Sequence, residues 1–131
     1  MLSEKQTLRI LLVEDNELNQ KFATAVIRKI GHEVDIAANG LIGVNLFKSN
    51  KYDLILMDIQ MPEMNGIEAT KAIRQLEALE GKNTHIPIIA VTAFAMDHDK
   101  RNCMEAGMDE FLAKPYKPFE LEQKIAVFFG K

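Results

Sequence analysis

The sequence predicts an α/β fold: a doubly wound parallel sheet of five strands, each followed by a helix. Three observations carry this. Short, almost wholly apolar runs rich in branched residues alternate with stretches whose apolar residues recur at helical spacing. The links between them are short, and alternating strands and helices favour a parallel sheet covered on both sides. The length, 131 residues, suits one domain with its own core, expected over residues 1–131 with the core at about 9–129.

The elements follow in order. Arg9 to Val13 (RILLV) reads as a central strand that stops at Glu14-Asp15-Asn16. Leu18, Phe22, Ala25, Val26 and Ile30 then form a helical stripe, capped by Asp15 or Asn16 and closed by Gly31. Glu33 to Ala37 alternates like an edge strand, and Asn39-Gly40 is a turn or cap. Leu41 to Phe47 is helical, with Gly43 inside it costing about 0.5–1 kcal/mol relative to Ala.

Leu54 to Met57 is a second buried strand ending on Asp58, followed by the loop Met61-Pro62-Glu63-Met64-Asn65-Gly66. Ile67 to Leu76 is helical, with Ile67, Ile73 and Leu76 on one stripe, and Gly81 to Thr84 breaks the chain. Ile86 to Val91 is a third buried strand ending on Thr92, and Pro87 fits only near its start. Asp97 to Ala106 is a polar helix closed by Gly107. Glu110 to Ala113 is the last strand, ending on Lys114-Pro115, and Pro118 to Phe129 is a helix carrying Leu121, Ile125 and Phe128 inward.

Composition narrows the function. Apolar content (47%) and charged content (27%) are ordinary, and a net charge of −3 argues against a direct nucleic-acid partner. Cys103 is the single cysteine, so an intramolecular disulfide and a Cys-rich metal site are excluded; it reads as a small apolar helix residue. The opening MLSEKQTLRI lacks the apolar core of a signal peptide, and no apolar run approaches the ~20 residues that span a bilayer. No membrane contact and a cytoplasmic location are therefore expected. His32, His85 and His98 are scattered, without a carboxylate or second histidine at metal spacing, and read as surface residues. Met57, Met61 and Met64 read as packing residues.

In an open parallel sheet, ligands bind at the carboxyl ends of the strands. Here those ends carry Glu14 and Asp15, then Asp58, Thr92 and Lys114. Each alone has an ordinary reading: a helix cap, a turn residue, a strand residue, a solvated charge. Together they converge three carboxylates, a hydroxyl and an ammonium at one edge. Crowded carboxylates do not all ionise cheaply, so a cation is required. Hard oxygen donors with few side chains suit Mg²⁺. A carboxylate in such a site can act as nucleophile and form an acyl phosphate. The protein's part in that chemistry is to position groups and neutralise oxygens: Mg²⁺ on one phosphoryl oxygen, Lys114 on another, the Thr92 hydroxyl donating to a third.

The segments LLVEDN (11–16), LILMDIQMPEMNG (54–66), PIIAVTA (87–93) and FLAKP (111–115) resemble the receiver domains of two-component response regulators, over about 9–129. The resemblance implies a (βα)5 flavodoxin-like fold with strand order 2-1-3-4-5. It makes Asp58 the phosphoacceptor, with Mg²⁺ (or Mn²⁺) bound by Asp15, Asp58 and the backbone carbonyl of Gln60, and Glu14 close by. It makes Lys114 the contact to the phosphoryl group, Thr92 and Phe111 the switch pair, and Lys114-Pro115 a cis peptide. Implied partners are a histidine kinase or a histidine phosphotransfer protein, with the chain a monomer or weak dimer. The wording VEDNELN and MDIQMPEMNGIEATKAIR looks more like receivers of hybrid sensor kinases than free-standing ones.

Some positions depart from the pattern. Glu14 is a methylene longer than the Asp often found there, which alters how a metal water is held. Phe111 lacks the ring hydroxyl of a Tyr. Ala93 is small, as the family expects beside the phosphoryl group, while Gln60 and Phe94 stand where members tune loss of that group, and a bulky Phe94 is expected to slow water entry. Other readings are a relay intermediate passing phosphate onward, a metal-dependent aspartyl phosphohydrolase, a flavin-binding electron carrier, and an interaction module with a dead site. The phosphohydrolase would need an acid where Gln60 stands. The flavin carrier would need a Ser/Thr/Gly-rich cradle where Glu14 and Asp15 would repel a phosphate. A dead site conflicts with the full set of Asp58, Thr92 and Lys114.

Overall fold

The computed structural model describes residues 7–61, 64–80, 85–93 and 97–129, without the side chains of residues 97 and 98. Phe94, Pro62 and Glu63, the break at 81–84 and the side chain of His98 lie outside the described residues.

Strands and helices alternate strictly: β1 (Arg9–Val13), α1 (Glu17–Lys29), β2 (Glu33–Ala37), α2 (Gly40–Ser49), β3 (Leu54–Asp58), α3 (Gly66–Leu79), β4 (Ile88–Thr92), α4 (Asp97–Ala106), β5 (Glu110–Ala113) and α5 (Pro118–Phe129). All four strand pairings are parallel, in the order β2-β1-β3-β4-β5. The fold is therefore the doubly wound flavodoxin-like sheet that the sequence predicts. Among the described residues no helix is long and apolar enough to cross a membrane.

Residue alternation along the strands divides the core into two layers. Leu8, Ile10, Leu12, Leu54, Leu56, Ile89, Val91 and Leu112 face α1 and α5. Leu11, Val13, Ile55, Met57, Ile88 and Ala90 face α2, α3 and α4. β3 and β4 are buried along their whole length because both faces are covered, whereas β2 at the edge stays mostly open. That is why the central runs read as continuous apolar blocks and β2 as an alternation. Burying each large aliphatic side chain supplies about 1.5–3 kcal/mol.

Two expectations shift. The β4 strand begins at Ile88 rather than Ile86, because Pro87 has no N–H to give the ladder; its carbonyl still accepts from the Ile55 amide at 3.0 Å. The buried face of α1 is Ala23, Val26 and Ile27, with Ile30 beside it, rather than a stripe beginning at Leu18. Leu18 is 76% exposed and Phe22 40%. The helix starts at the carboxyl edge of the sheet, so its first turn overhangs the strands it packs on.

Caps hold the helix starts in place. Asn16 accepts from the Asn19 amide and Asn39 from the Ile42 amide, while Asn65 and Glu68 form a reciprocal capping box at α3. At the far end of the sheet, Arg74 on α3 donates twice to the Gly107 carbonyl (3.0 and 2.7 Å), to Glu77 (2.8 Å) and to Asp109 (2.9 Å). Glu77 and Asp109 in turn accept from the amides of Ile86 and Ile88. His85 lies at the surface, as the sequence predicts, and pairs with Asp109 at 2.6 Å.

Candidate functional site

Strand β1 delivers Glu14 and Asp15 at its carboxyl end, β3 delivers Asp58, β4 delivers Thr92, and β5 runs into Lys114. Because neighbouring strands are parallel and in register, these ends lie side by side. The Glu14 amide extends the β1–β2 pairing by donating to the Ala37 carbonyl (2.9 Å), and the Lys114 amide donates to the Thr92 carbonyl (2.8 Å). One carboxylate oxygen each of Glu14, Asp15 and Asp58 lies within 4.8 Å of the others. Glu14 and Asp58 are buried and Asp15 is exposed.

Lys114 reaches between the two buried acids. Its Nζ is 3.0 Å from Glu14 Oε1 and 3.4 Å from Asp58 Oδ2. The other Asp58 oxygen, Oδ1, accepts from the Gln60 amide at 3.2 Å. Asp58 is nevertheless pushed up to about 7: burial raises it most, the Glu14 carboxylate raises it further, and Lys114 and the Gln60 amide pull it down only in part. The cleft therefore holds more negative charge than its ammonium balances.

Glycine at 66 is what lets α3 begin against this strand end. A Cβ at that position would overlap the Asp58 carbonyl oxygen, and the Gly66 amide instead donates to the Ile59 carbonyl at 3.1 Å.

The remaining predicted residues sit around this centre. Thr92 is buried at the end of β4. Phe111 on β5 is half-buried, with the Lys100 ammonium 5.4 Å from its ring centre. Gln60 is exposed two residues after Asp58 and contributes its amide as above. The Lys114–Pro115 peptide is cis.

Several neighbours carry no sequence signal. Glu14 Oε2 accepts from the Asn16 amide (3.1 Å) and Asn19 Nδ2 (3.5 Å), and Gln20 Nε2 donates to the Glu14 carbonyl (2.6 Å). Amides on the first turns of a helix read in sequence as a solvated face. Beside Lys114 opens a cleft of about 440 Å³ lined by Glu14, Asn19, Phe22, Ala93, Pro115 and Tyr116. The Phe22 and Tyr116 rings meet there at 5.3 Å, and burial first, then Glu14, pushes the Tyr116 hydroxyl up to about 12.

The donor set fits a hard divalent cation. It offers only oxygen ligands and an excess of negative charge, and the exposed Asp15 leaves solvent room for retained waters. Such a cation beside Lys114 would make the edge attractive to a phosphate-like group.

Comparison with known proteins gives the same picture. Residues 10–126 match the family model described as "Response regulator receiver domain". Among curated relatives, hybrid signal transduction histidine kinase I of Dictyostelium discoideum is 46% identical over 122 residues, which is 89% of this chain and 7% of that protein. The chain thus spans a small part of such relatives. Among solved structures, the receiver domain of sensor histidine kinase PA1611 from Pseudomonas aeruginosa PAO1 superposes with a TM-score of 0.85 at 40% identity, covering 96% of this chain and all of that one (100%). That domain has a magnesium ion coordinated in its active-site cleft. The receiver domain of Saccharomyces cerevisiae Ssk1, solved in complex with the histidine phosphotransfer protein Ypd1, gives 0.87 at 35% identity, covering 92% and 87%.

Proposed function

The chain belongs to the response regulator receiver domain family of two-component and phosphorelay signalling, and from that premise we propose that its acid-lined cleft takes a phosphoryl group onto Asp58. The observation that carries the assignment is the clustering of three carboxylates within 4.8 Å with Lys114 Nζ 3.0 and 3.4 Å from two of them. Asp58 is chosen as acceptor because it is buried, lies between Lys114 and the Gln60 amide, and ends the central strand β3.

Glu14, Asp15, Asp58 and the Gln60 carbonyl would hold Mg²⁺. When bound, it lowers the charge barrier between an anionic donor and an anionic acceptor. The chain's own groups do the rest. One Asp58 carboxylate oxygen attacks phosphorus in line; the phosphorus–nitrogen bond of a phosphohistidine breaks as the phosphorus–oxygen bond forms, and the imidazole leaves and takes up a proton. Lys114 gives one phosphoryl oxygen its ammonium in exchange for the contact it now makes to Asp58. Thr92 donates its hydroxyl to another, and Phe111 fills the space that Thr92 leaves. The face of β4, β5, α4 and α5 then changes population.

The proposed partner is a histidine kinase or a histidine phosphotransfer protein. It would dock on the apolar lip of the cleft, where Phe22 packs on Tyr116 and Leu18 stands exposed one helical turn before Phe22. The parent context proposed is a hybrid sensor kinase, in keeping with the curated relative described above.

The test is incubation with Mg²⁺ and acetyl phosphate or phosphoramidate, read by intact mass, and then with a phosphohistidine protein. One phosphoryl group should appear, and Asp58→Asn should abolish it. Labelling that survives in Asp58→Asn, or failure with both kinds of donor, overturns the reading.

A further inference from the structure

In the Glu14–Asp15 turn, every polar group of Glu14 is held. The Glu14 amide is held by the Ala37 carbonyl (2.9 Å), and its side chain by Lys114, the Asn16 amide and Asn19. Its carbonyl oxygen is held by the side-chain amide of Gln20 at 2.6 Å. Gln20 itself is fixed, since its backbone amide closes a turn of α1 on the Asn16 carbonyl at 2.9 Å. A peptide group is rigid and planar, so fixing the direction of the Glu14 carbonyl fixes the plane that leads into Asp15. Asp15 is exposed, and that backbone plane is what aims it at Glu14 and Asp58.

We propose that Gln20 is a positioning residue for divalent-cation binding: through the Glu14 carbonyl it sets the orientation of the Glu14–Asp15 turn, and with it the cleft's affinity for Mg²⁺. The inference rests on the function proposed above. Gln20 donates to a backbone carbonyl and is assigned no place among the ligands, so it acts one shell out. Groups that orient metal ligands in this way typically change metal affinity about 10–100-fold when removed.

The test measures the Mg²⁺ dissociation constant by titration calorimetry, together with the metal-free melting temperature in EDTA. Gln20→Met removes the donor while keeping length and helix propensity. Gln20→Glu also removes it, sets an acceptor against the carbonyl, and adds negative charge near the cation. A role in bulk electrostatics predicts tighter binding for Gln20→Glu; positioning predicts weaker. Both variants should bind Mg²⁺ about tenfold or more weakly, with the metal-free melting temperature of Gln20→Met unchanged. Affinity equal to wild type in either variant, or weakening that merely follows a fall in metal-free melting temperature, overturns the proposal. If the wild-type chain binds no Mg²⁺, the site assignment itself fails; if it binds and both variants match it, only the role of Gln20 fails.

Discussion

Asp58 is an expensive residue in the metal-free protein. Burial and the neighbouring Glu14 carboxylate raise its carboxyl to about 7 from an ordinary value of 3.8. The sign of the consequence follows from linkage. Well below pH 4 the group is protonated in both folded and unfolded chains and costs nothing. As pH rises toward 7 the unfolded chain gains an ionised aspartate that the folded chain cannot match, so stability falls across that window. Asp58→Asn removes the penalty. In EDTA at pH 7 the variant should be more stable than wild type by about 2 kcal/mol, less than the full linkage because the buried amide needs partners of its own. Urea titrations at several pH values check this: the gap should close near pH 4, and a gap constant with pH would contradict the account. Glu14, Asp15, Asp58, Thr92 and Lys114 are legible in sequence because each stands where a strand ends. Gln20 and Asn19 are not legible, since nothing in a polar residue on a helix says that its amide turns back toward the preceding loop.

Element α2 shows where local propensity misleads. Gly43 reads in sequence as a weak point, and replacing it by Ala would by propensity stabilise the helix. The packing reverses that. A Cβ at 43 would lie 2.9 Å from one methyl of Val13 and 3.3 Å from the other. Val13 is fully buried in β1 and, being β-branched, has little rotameric freedom to yield. Gly43→Ala is therefore expected to destabilise by about 1–2 kcal/mol despite the better helix former, as a lowered urea midpoint at unchanged slope. A stabilised variant would mean that α2 can ride outward from β1 at little cost. The phase of α1 was hidden for a related reason. Leu18 and Phe22 share the apolar periodicity of Val26 and Ile30, and only the place where the helix crosses the sheet edge separates the buried residues from the exposed ones. The Arg74 junction that ties α3, β4 and the α4–β5 turn joins residues 33 and 35 positions apart, which no local pattern displays.

At the scale of the molecule, the fold divides its labour between two ends. The amino ends of β4 and β5 are locked by Arg74, Glu77 and Asp109, while the carboxyl ends gather charge around an open cleft. The strand runs and their parallel arrangement are visible in the alternation of patterns. The order 2-1-3-4-5 is not, because equally apolar central strands look alike; it came from the family resemblance. Along the cleft beside Lys114, Phe22 packs on Tyr116, and Leu18 stands exposed one helical turn before Phe22. A small phosphodonor has no use for that lip, whereas a protein donor must seat its histidine by burying it. Leu18→Lys alters a residue that is 76% exposed, so the fold and the chemistry of Asp58 are left as they are. The rate of phosphoryl transfer from a phosphohistidine protein should fall about tenfold or more, in the range of a central interface residue, while the rate from acetyl phosphate stays at the wild-type value. Parallel time courses with the two donors decide it. Equal loss with both would tie Leu18 to the chemistry rather than to docking, and no loss with either would place the donor's footprint on another face.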